Sequence, residues 1–407
     1  MPILSRFKST VLLLFLVFSS CKGQQKETIS ASEAQTDSPA PIKVAANRTE
    51  IYLPLLKGKK VGVVANPTSV VFNEKGHTHL VDSLLSENMD VKQVFAPEHG
   101  FRGTADAGEH VKDGVDTQTG LPIISLYGKN RKPSKEQLSG LDVIVFDIQD
   151  VGVRFYTFIA SLQLVMEACA ENNTPIIVLD RPNPNGHYVD GPTMMEDHTS
   201  YLGMNTIPLV YGMTMGEYAK MLNGEGWLEN SNKADLTVIE LENYTHDSQY
   251  HLPIRPSPNL PNDTSITLYP SLGLFEGTNV NAGRGTEFQF QRYGASFMDS
   301  TEYDFSYMPQ PNFGSKYPKE EGKTCYGRDL SKTPRMNEVT MQWVIDAYKN
   351  TLDKSKFFLT SGFTKHAGTP LLQKQIEEGM TNEEIKATWQ NGLESFKKIR
   401  AKYLIYD

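Results

Sequence analysis

Lys60-Val61-Gly62-Val63-Val64-Ala65, followed at once by Asn66-Pro67-Thr68-Ser69, is a short valine-rich run that stops on a turn. A continuous apolar run of that length reads as a strand buried on both faces, the usual condition of a parallel sheet covered by helices. Similar runs follow at 91–96, 122–127, 143–148, 175–179 and 236–241. Helical patterns separate them at 78–87, 156–172 and 215–223. Strand and helix in alternation predict an α/β fold, a parallel sheet with helices on both faces.

Beyond residue 252 the character changes. Pro253, Pro256, Pro258, Pro261 and Pro270 come in quick succession among Asn, Gly and aromatics. The chain beyond residue 46 also exceeds the size at which one core usually stops growing, so two domains are expected, 47–255 and 256–407. Near the end, Ile385, Trp389, Leu393, Phe396, Ile399 and Tyr403 recur every three or four residues. They predict one amphipathic helix, with Thr381 and Glu384 as a capping box and Gly379 closing the helix before it.

The N-terminus has a different job. Arg6 and Lys8 precede an apolar stretch at 11–18, then small residues and Cys21. That stretch is too short to span a bilayer and reads as a lipoprotein signal, 1–21, whose cleavage leaves Cys21 for lipidation. Residues 22–46 are expected to be a flexible tether, since 22–41 holds no apolar cluster. The expected address is therefore the cell envelope, with the protein in the periplasm and anchored to a membrane at Cys21. The formal net charge of −8 argues against a nucleic-acid partner and provides no broad basic surface for anionic lipid, so no nucleic acid is expected and membrane attachment is expected through the lipid alone. Cys169 falls on an apolar helical face with Phe158, Leu162, Val165 and Met166, and both it and Cys325 are expected to be free thiols.

Ligands of open parallel sheets bind beyond the carboxyl ends of the strands. Behind the first strand stands Asn66-Pro67-Thr68-Ser69, and behind the second Pro97-Glu98-His99-Gly100-Phe101-Arg102-Gly103. The fourth is followed by Gln149-Asp150-Val151-Gly152-Val153-Arg154 and the fifth by Asp180-Arg181-Pro182-Asn183. An acid and an arginine thus recur three times at one sheet edge. The glycines at 100, 103 and 108 have the wrong spacing for a dinucleotide loop, and the chain has no H-E-x-x-H or G-x-S-x-G. No metal or organic cofactor is indicated, and carboxylate chemistry remains.

Glu98 is the best candidate acid or base, because Phe95-Ala96-Pro97 shields it from water and His99 lies beside it. A plainer role is ion pairing with Arg102. Asp147, Asp150 and Asp180 are each either a second carboxylate, the part in which Asp150 is a candidate, or a salt-bridge partner. The glycine-rich stretch at 274–286 brings Glu276 and Arg284, which could reach across a crevice between the domains.

Five ordered blocks are similar to the exo-β-N-acetylmuramidase family of glycoside hydrolases. They are 97–103, Phe146-Asp147-Ile148-Gln149-Asp150-Val151-Gly152-Val153-Arg154-Phe155-Tyr156-Thr157, Leu179-Asp180-Arg181-Pro182-Asn183-Pro184, Pro256-Ser257-Pro258-Asn259 and Phe275-Glu276-Gly277-Thr278-Asn279-Val280. The resemblance implies a Rossmann-like domain, a smaller α+β C-terminal domain and an active site in the cleft between them. It also implies release of N-acetylmuramic acid from the non-reducing ends of peptidoglycan fragments. Glu98 matches the family's catalytic glutamate and Glu276 another acidic position. Asn66, His99, Asp180, Asn259 and Asn279 join as substrate-binding candidates. Muramic acid carries a lactyl carboxylate, and reading it calls for arginine; Arg102, Arg154, Arg181 and Arg284 all stand in or beside the blocks. The competing expectation is an envelope lipoprotein that binds muropeptides without cleaving them.

Overall fold

The computed structural model describes residues 40–103 and 113–407. The signal at 1–21, its Cys21 and most of the expected tether lie outside the described residues. The strands are β1 (Lys60–Ala65), β2 (Val70–Asn73), β3 (Gly76–His79), β4 (Asp90–Ala96), β5 (Gly114–Val115), β6 (Pro122–Ser125), β7 (Val143–Asp147), β8 (Ile176–Leu179), β9 (Leu236–Ile239), β10 (Arg292–Ala295), β11 (Phe305–Tyr307) and β12 (Cys325–Asp329). The helices are α1 (Thr49–Leu56), α2 (Leu80–Ser86), α3 (Lys135–Leu138), α4 (Phe158–Asn172), α5 (Met215–Gly224), α6 (Asp263–Leu272), α7 (Gln342–Lys349), α8 (Thr360–Ala367), α9 (Leu371–Glu377), α10 (Asn382–Ala387) and α11 (Gln390–Arg400).

A seven-stranded sheet runs in the order β5-β6-β4-β1-β7-β8-β9. All neighbours pair parallel except β5, an antiparallel edge strand. Numbered by appearance, the six parallel strands stand 3-2-1-4-5-6, the doubly wound Rossmann order. Alternation along each strand sends side chains to opposite faces. Ile144 and Phe146 of β7 face a core shared with α4 and α5, whereas Val143 and Val145 face Tyr52 and Leu56 of α1 and Leu80, Val81 and Leu84 of α2.

The smaller C-terminal domain holds the antiparallel sheet β10-β12-β11 and helices from α7 onward. Its core is not closed off. Tyr293, Phe363, Leu393 and Phe396 belong to the same continuous apolar cluster as Val64 and Phe146, and residues 41–407 form one compact unit. Size alone suggested two cores; the α4 face of the sheet is apolar enough to take the C-terminal domain directly against it.

Three local readings are corrected. Residues 41–46 are packed rather than loose: Val44, Ala45 and Ala46 are buried, and the Ala45 amide donates to the Asp180 carbonyl at 3.2 Å. The helix expected from 78 starts at Leu80, because Gly76–His79 pairs with β2 as a hairpin and the His79 ring then caps α2 through the Val81 amide. The last helix breaks at Thr388-Trp389 into α10 and α11, although Ile385, Trp389, Leu393 and Phe396 of the expected face are buried and Ile399 and Tyr403 pack beside them, partly buried. The Thr381–Glu384 capping box forms in both directions, at 3.2 and 2.8 Å. Cys169 and Cys325 are both buried and free. Among the described residues no helix is long and apolar enough to cross a membrane.

Candidate active site

Glu98 owes its position to the turn that ends β4. The Gly100 amide donates to the Pro97 carbonyl at 3.0 Å, and His99, third in this four-residue turn, has φ +69°. Positive φ at that place is the type II geometry, which a non-glycine residue adopts only where its surroundings hold it. Glu98 and His99 are thereby set at the wall of an open cleft, about 830 Å³ of empty space with the adjoining solvent included, which admits a sugar ring. Its carboxylate lies 3.4 Å from both the Tyr127 hydroxyl, behind β6, and the Thr157 hydroxyl, at the start of α4. Burial, reinforced by the charge of Glu98, pushes the Tyr127 phenol up to about 12.

The opposite wall comes from the C-terminal domain. Glu276 sits on a short turn, Gly273–Gly277, and accepts from Arg284 Nη1 at 2.9 Å. Lys319 Nζ donates to the carbonyls of Phe275 and Glu276, both at 3.0 Å. Burial works to raise the pKa of Glu276, but the positive charge around it outweighs burial and holds it below the ordinary carboxylate range. His366 also lines the cleft. Its Nδ1 lies 2.8 Å from the Gly362 carbonyl, which can only accept, so Nδ1 carries the hydrogen and Nε2 is the basic atom. Burial holds its pKa below 6.5, so it is neutral at pH 7 and the charge acting on Glu276 comes from Arg284 and Lys319.

Glu98, His99, Asn259, Glu276 and Arg284 are therefore brought to one cavity. Asn259 donates to the Gly314 carbonyl at 2.7 Å, and its own Oδ1 is buried without a hydrogen bond. The other candidates are committed elsewhere. Arg102 is clamped between Asp82 and Asp116, with four contacts of 2.9–3.1 Å. Arg154 is fully buried and donates to the carbonyls of Pro192, Ile207, His366 and Ala367 at 2.7–3.0 Å. Arg181 pairs with buried Asp147 and donates to the Val70 carbonyl. Asp150 is buried against the Tyr211 hydroxyl and the Gly152 amide, and Asp180 against Thr214, Gly216 and Tyr406. Asn66 folds back on Thr68, and Asn279 donates to the Lys356 carbonyl. None of these seven lines the cleft.

A polar loop behind a strand need not open onto a ligand crevice. The crevice between β1 and β7, where the strand order reverses, is filled by protein: Arg181 with Asp147, Gln149 with Thr68 and Pro182, and Ser69 with the Asp147 carbonyl. Polar loops behind strands either project or fill, and burial decides which. The open space has moved toward the ends of β4 and β6. Tyr127 and Arg131 stand there, behind β6, and the polar loop Tyr127-Gly128-Lys129-Asn130-Arg131 is the sequence signal for them. Thr157 closes one of the five blocks quoted above, but no sequence signal pointed to Tyr201, Tyr269 or His366 as cleft residues. Among the described residues, no cluster of His, Cys, Asp and Glu could hold a metal ion.

Comparison with known proteins gives a consistent set of likenesses. The family description "Exo-beta-N-acetylmuramidase NamZ, N-terminal" matches residues 61–264, and its C-terminal counterpart matches 267–406. The peptidoglycan β-N-acetylmuramidase NamZ of Bacillus subtilis is 38% identical, over 93% of this chain and 96% of its own length. Two DUF1343 family crystal structures from Bacteroides fragilis each cover 90% of the chain and 99% of their own. One has a TM-score of 0.83 at 43% identity, the other 0.75 at 28%.

Proposed function

The chain belongs to the NamZ family of exo-β-N-acetylmuramidases, and from that membership we propose that Glu98 is the general acid of its reaction. The protein is a glycoside hydrolase acting on peptidoglycan-derived substrate, so a purely binding role is set aside. The observation that carries the assignment is the unlike setting of two carboxylates in one cleft. Glu276 is kept ionised by Arg284 and Lys319, which suits a nucleophile, a base or a stabiliser of the developing oxocarbenium charge. Glu98 lies against hydroxyls, partners that accept a proton from a neutral carboxyl and donate to a charged one.

In this reading Glu98 protonates the glycosidic oxygen as the bond to the terminal muramyl residue breaks at a non-reducing end. The displacement at the anomeric carbon is completed by Glu276, by water it activates, or by the substrate's own acetamido group. Asn259 Oδ1 is an acceptor for a sugar hydroxyl or the acetamido N–H. Glu98→Gln should lower kcat on a chromogenic muramic acid glycoside by about 10³-fold while leaving affinity for released N-acetylmuramic acid within a few-fold. Retention of more than a tenth of wild-type turnover would overturn the assignment.

The same proposal places the enzyme in the cell envelope as a lipoprotein. Its support is the basic, apolar and small-residue order ending at Cys21. Cys21→Ser should move the protein from the membrane to the soluble fraction without changing kcat; a variant that stays membrane-bound removes the lipid anchor from the account.

A further inference from the structure

We infer that Arg131, seated on the ring of Tyr201, forms the subsite that binds the lactyl carboxylate of the terminal muramyl residue. The inference rests on the muramidase reading and goes beyond it, since neither residue belongs to the carboxylate machinery. Two guanidinium groups line the cleft, Arg131 and Arg284. Arg284 has its charge matched by Glu276 at 2.9 Å. Arg131 has no ion pair with any carboxylate among the described residues; its guanidinium carbon instead lies 4.1 Å from the centre of the Tyr201 ring. Its Nε is buried without a hydrogen bond, so part of the group is already stripped of water.

The ring beneath it is held still. The Tyr201 hydroxyl is within 2.9 Å of Ser161 Oγ, on α4, which fixes the plane on which the guanidinium rests. Stacking uses one face of the guanidinium and leaves its in-plane N–H fork for an acceptor, the geometry that grips a carboxylate at two points. Arg131 also acts electrostatically on Tyr127, which touches Glu98, so the cation lies on the acid's side of the cleft. The muramyl ring presents one anionic group, the lactyl carboxylate, and a glucosamine ring presents none. An unmatched arginine in this cavity therefore separates the two sugars, and it separates a free lactyl group from one whose carboxyl is esterified or amidated.

The test compares three chromogenic glycosides: that of N-acetylmuramic acid, its lactyl methyl ester, and that of N-acetylglucosamine. Wild type should prefer the free acid to the ester by about 30- to 100-fold in kcat/KM, the value of one charge-assisted pair. Arg131→Ala should lose about that factor on the free acid and less than about 3-fold on the ester, with Arg131→Lys in between. Equal hydrolysis of acid and ester by wild type, or equal loss on both by Arg131→Ala, overturns the subsite. The wild-type comparison needs no variant to fold. Failure of the muramidase reading would look different, because wild type would then cleave neither muramyl substrate and Glu98→Gln would change nothing.

Discussion

Arg154 and Arg284 carry the same guanidinium, yet one is structural and the other lines the cleft. Arg154 takes its solvation from four backbone carbonyls, two of them at the end of α8, and so joins the two halves of the chain. Replacing it with Met leaves those acceptors buried and unpaired, which should cost about 3 kcal/mol or more in urea unfolding. Asp150 makes a second test at this scale. Burial raises its pKa from 3.8 to about 6, against the hydrogen bonds from Tyr211 and Gly152. Between those values the folded protein holds a proton that the unfolded chain has lost, so this stabilising contribution is complete at low pH and disappears as pH rises through 6. Wild type should therefore gain on Asp150→Asn by about 2 kcal/mol between pH 7 and pH 4, read from urea midpoints of both proteins. Buried histidines such as His79, held down to about 4 by desolvation, act in the opposite sense in both proteins and cancel in the comparison.

At the scale of elements, the position of Glu276 depends on how closely its turn approaches α8. A Cβ on Gly277 would stand 2.3 Å from the Cα of Phe363, and backbone cannot move aside as a flexible side chain does. Gly277→Ala should cost about 1–3 kcal/mol by overpacking, and kcat should fall further than stability predicts because Glu276 is the next residue. A normal kcat with reduced stability would show that the turn does not set the carboxylate. The strands were legible because their apolar runs are continuous; β1 falls where it was read, at Lys60–Ala65. The hairpin β2-β3 was not, since Gly76-His77-Thr78-His79 has no alternating apolar face and exists only because Val70–Asn73 lies opposite. The break between α10 and α11 was hidden for a related reason, as the apolar period runs through it unchanged.

At the scale of the molecule, the shared core makes the protein one cooperative unit. Trp227 lies in the sheet domain, Trp343 and Trp389 in the C-terminal one, and all three pack on the same cluster. Urea unfolding followed by tryptophan fluorescence and by far-ultraviolet circular dichroism should give coincident single transitions, and a chain ending at 264 should give none. Two separated transitions would contradict the continuous core. The chain end strengthens the same link: Tyr406 donates to buried Asp180, and the amides of Ile405 and Tyr406 donate to buried Glu217.

By itself the sequence determined the doubly wound sheet, the family and the two glutamates of the cleft, because apolar periodicity and residue identity are local properties of the chain. Tertiary structure decided which polar groups line the open cleft. Asp150, Arg154 and Arg181 follow strands just as Glu98 does, but Asp150 is tied to Tyr211, Arg154 to four backbone carbonyls and Arg181 to Asp147, while Arg131 and His366, far apart in sequence, line the space left open. The physical reason is burial: the same charged group is a structural tie where protein atoms surround it and a ligand site where they leave room.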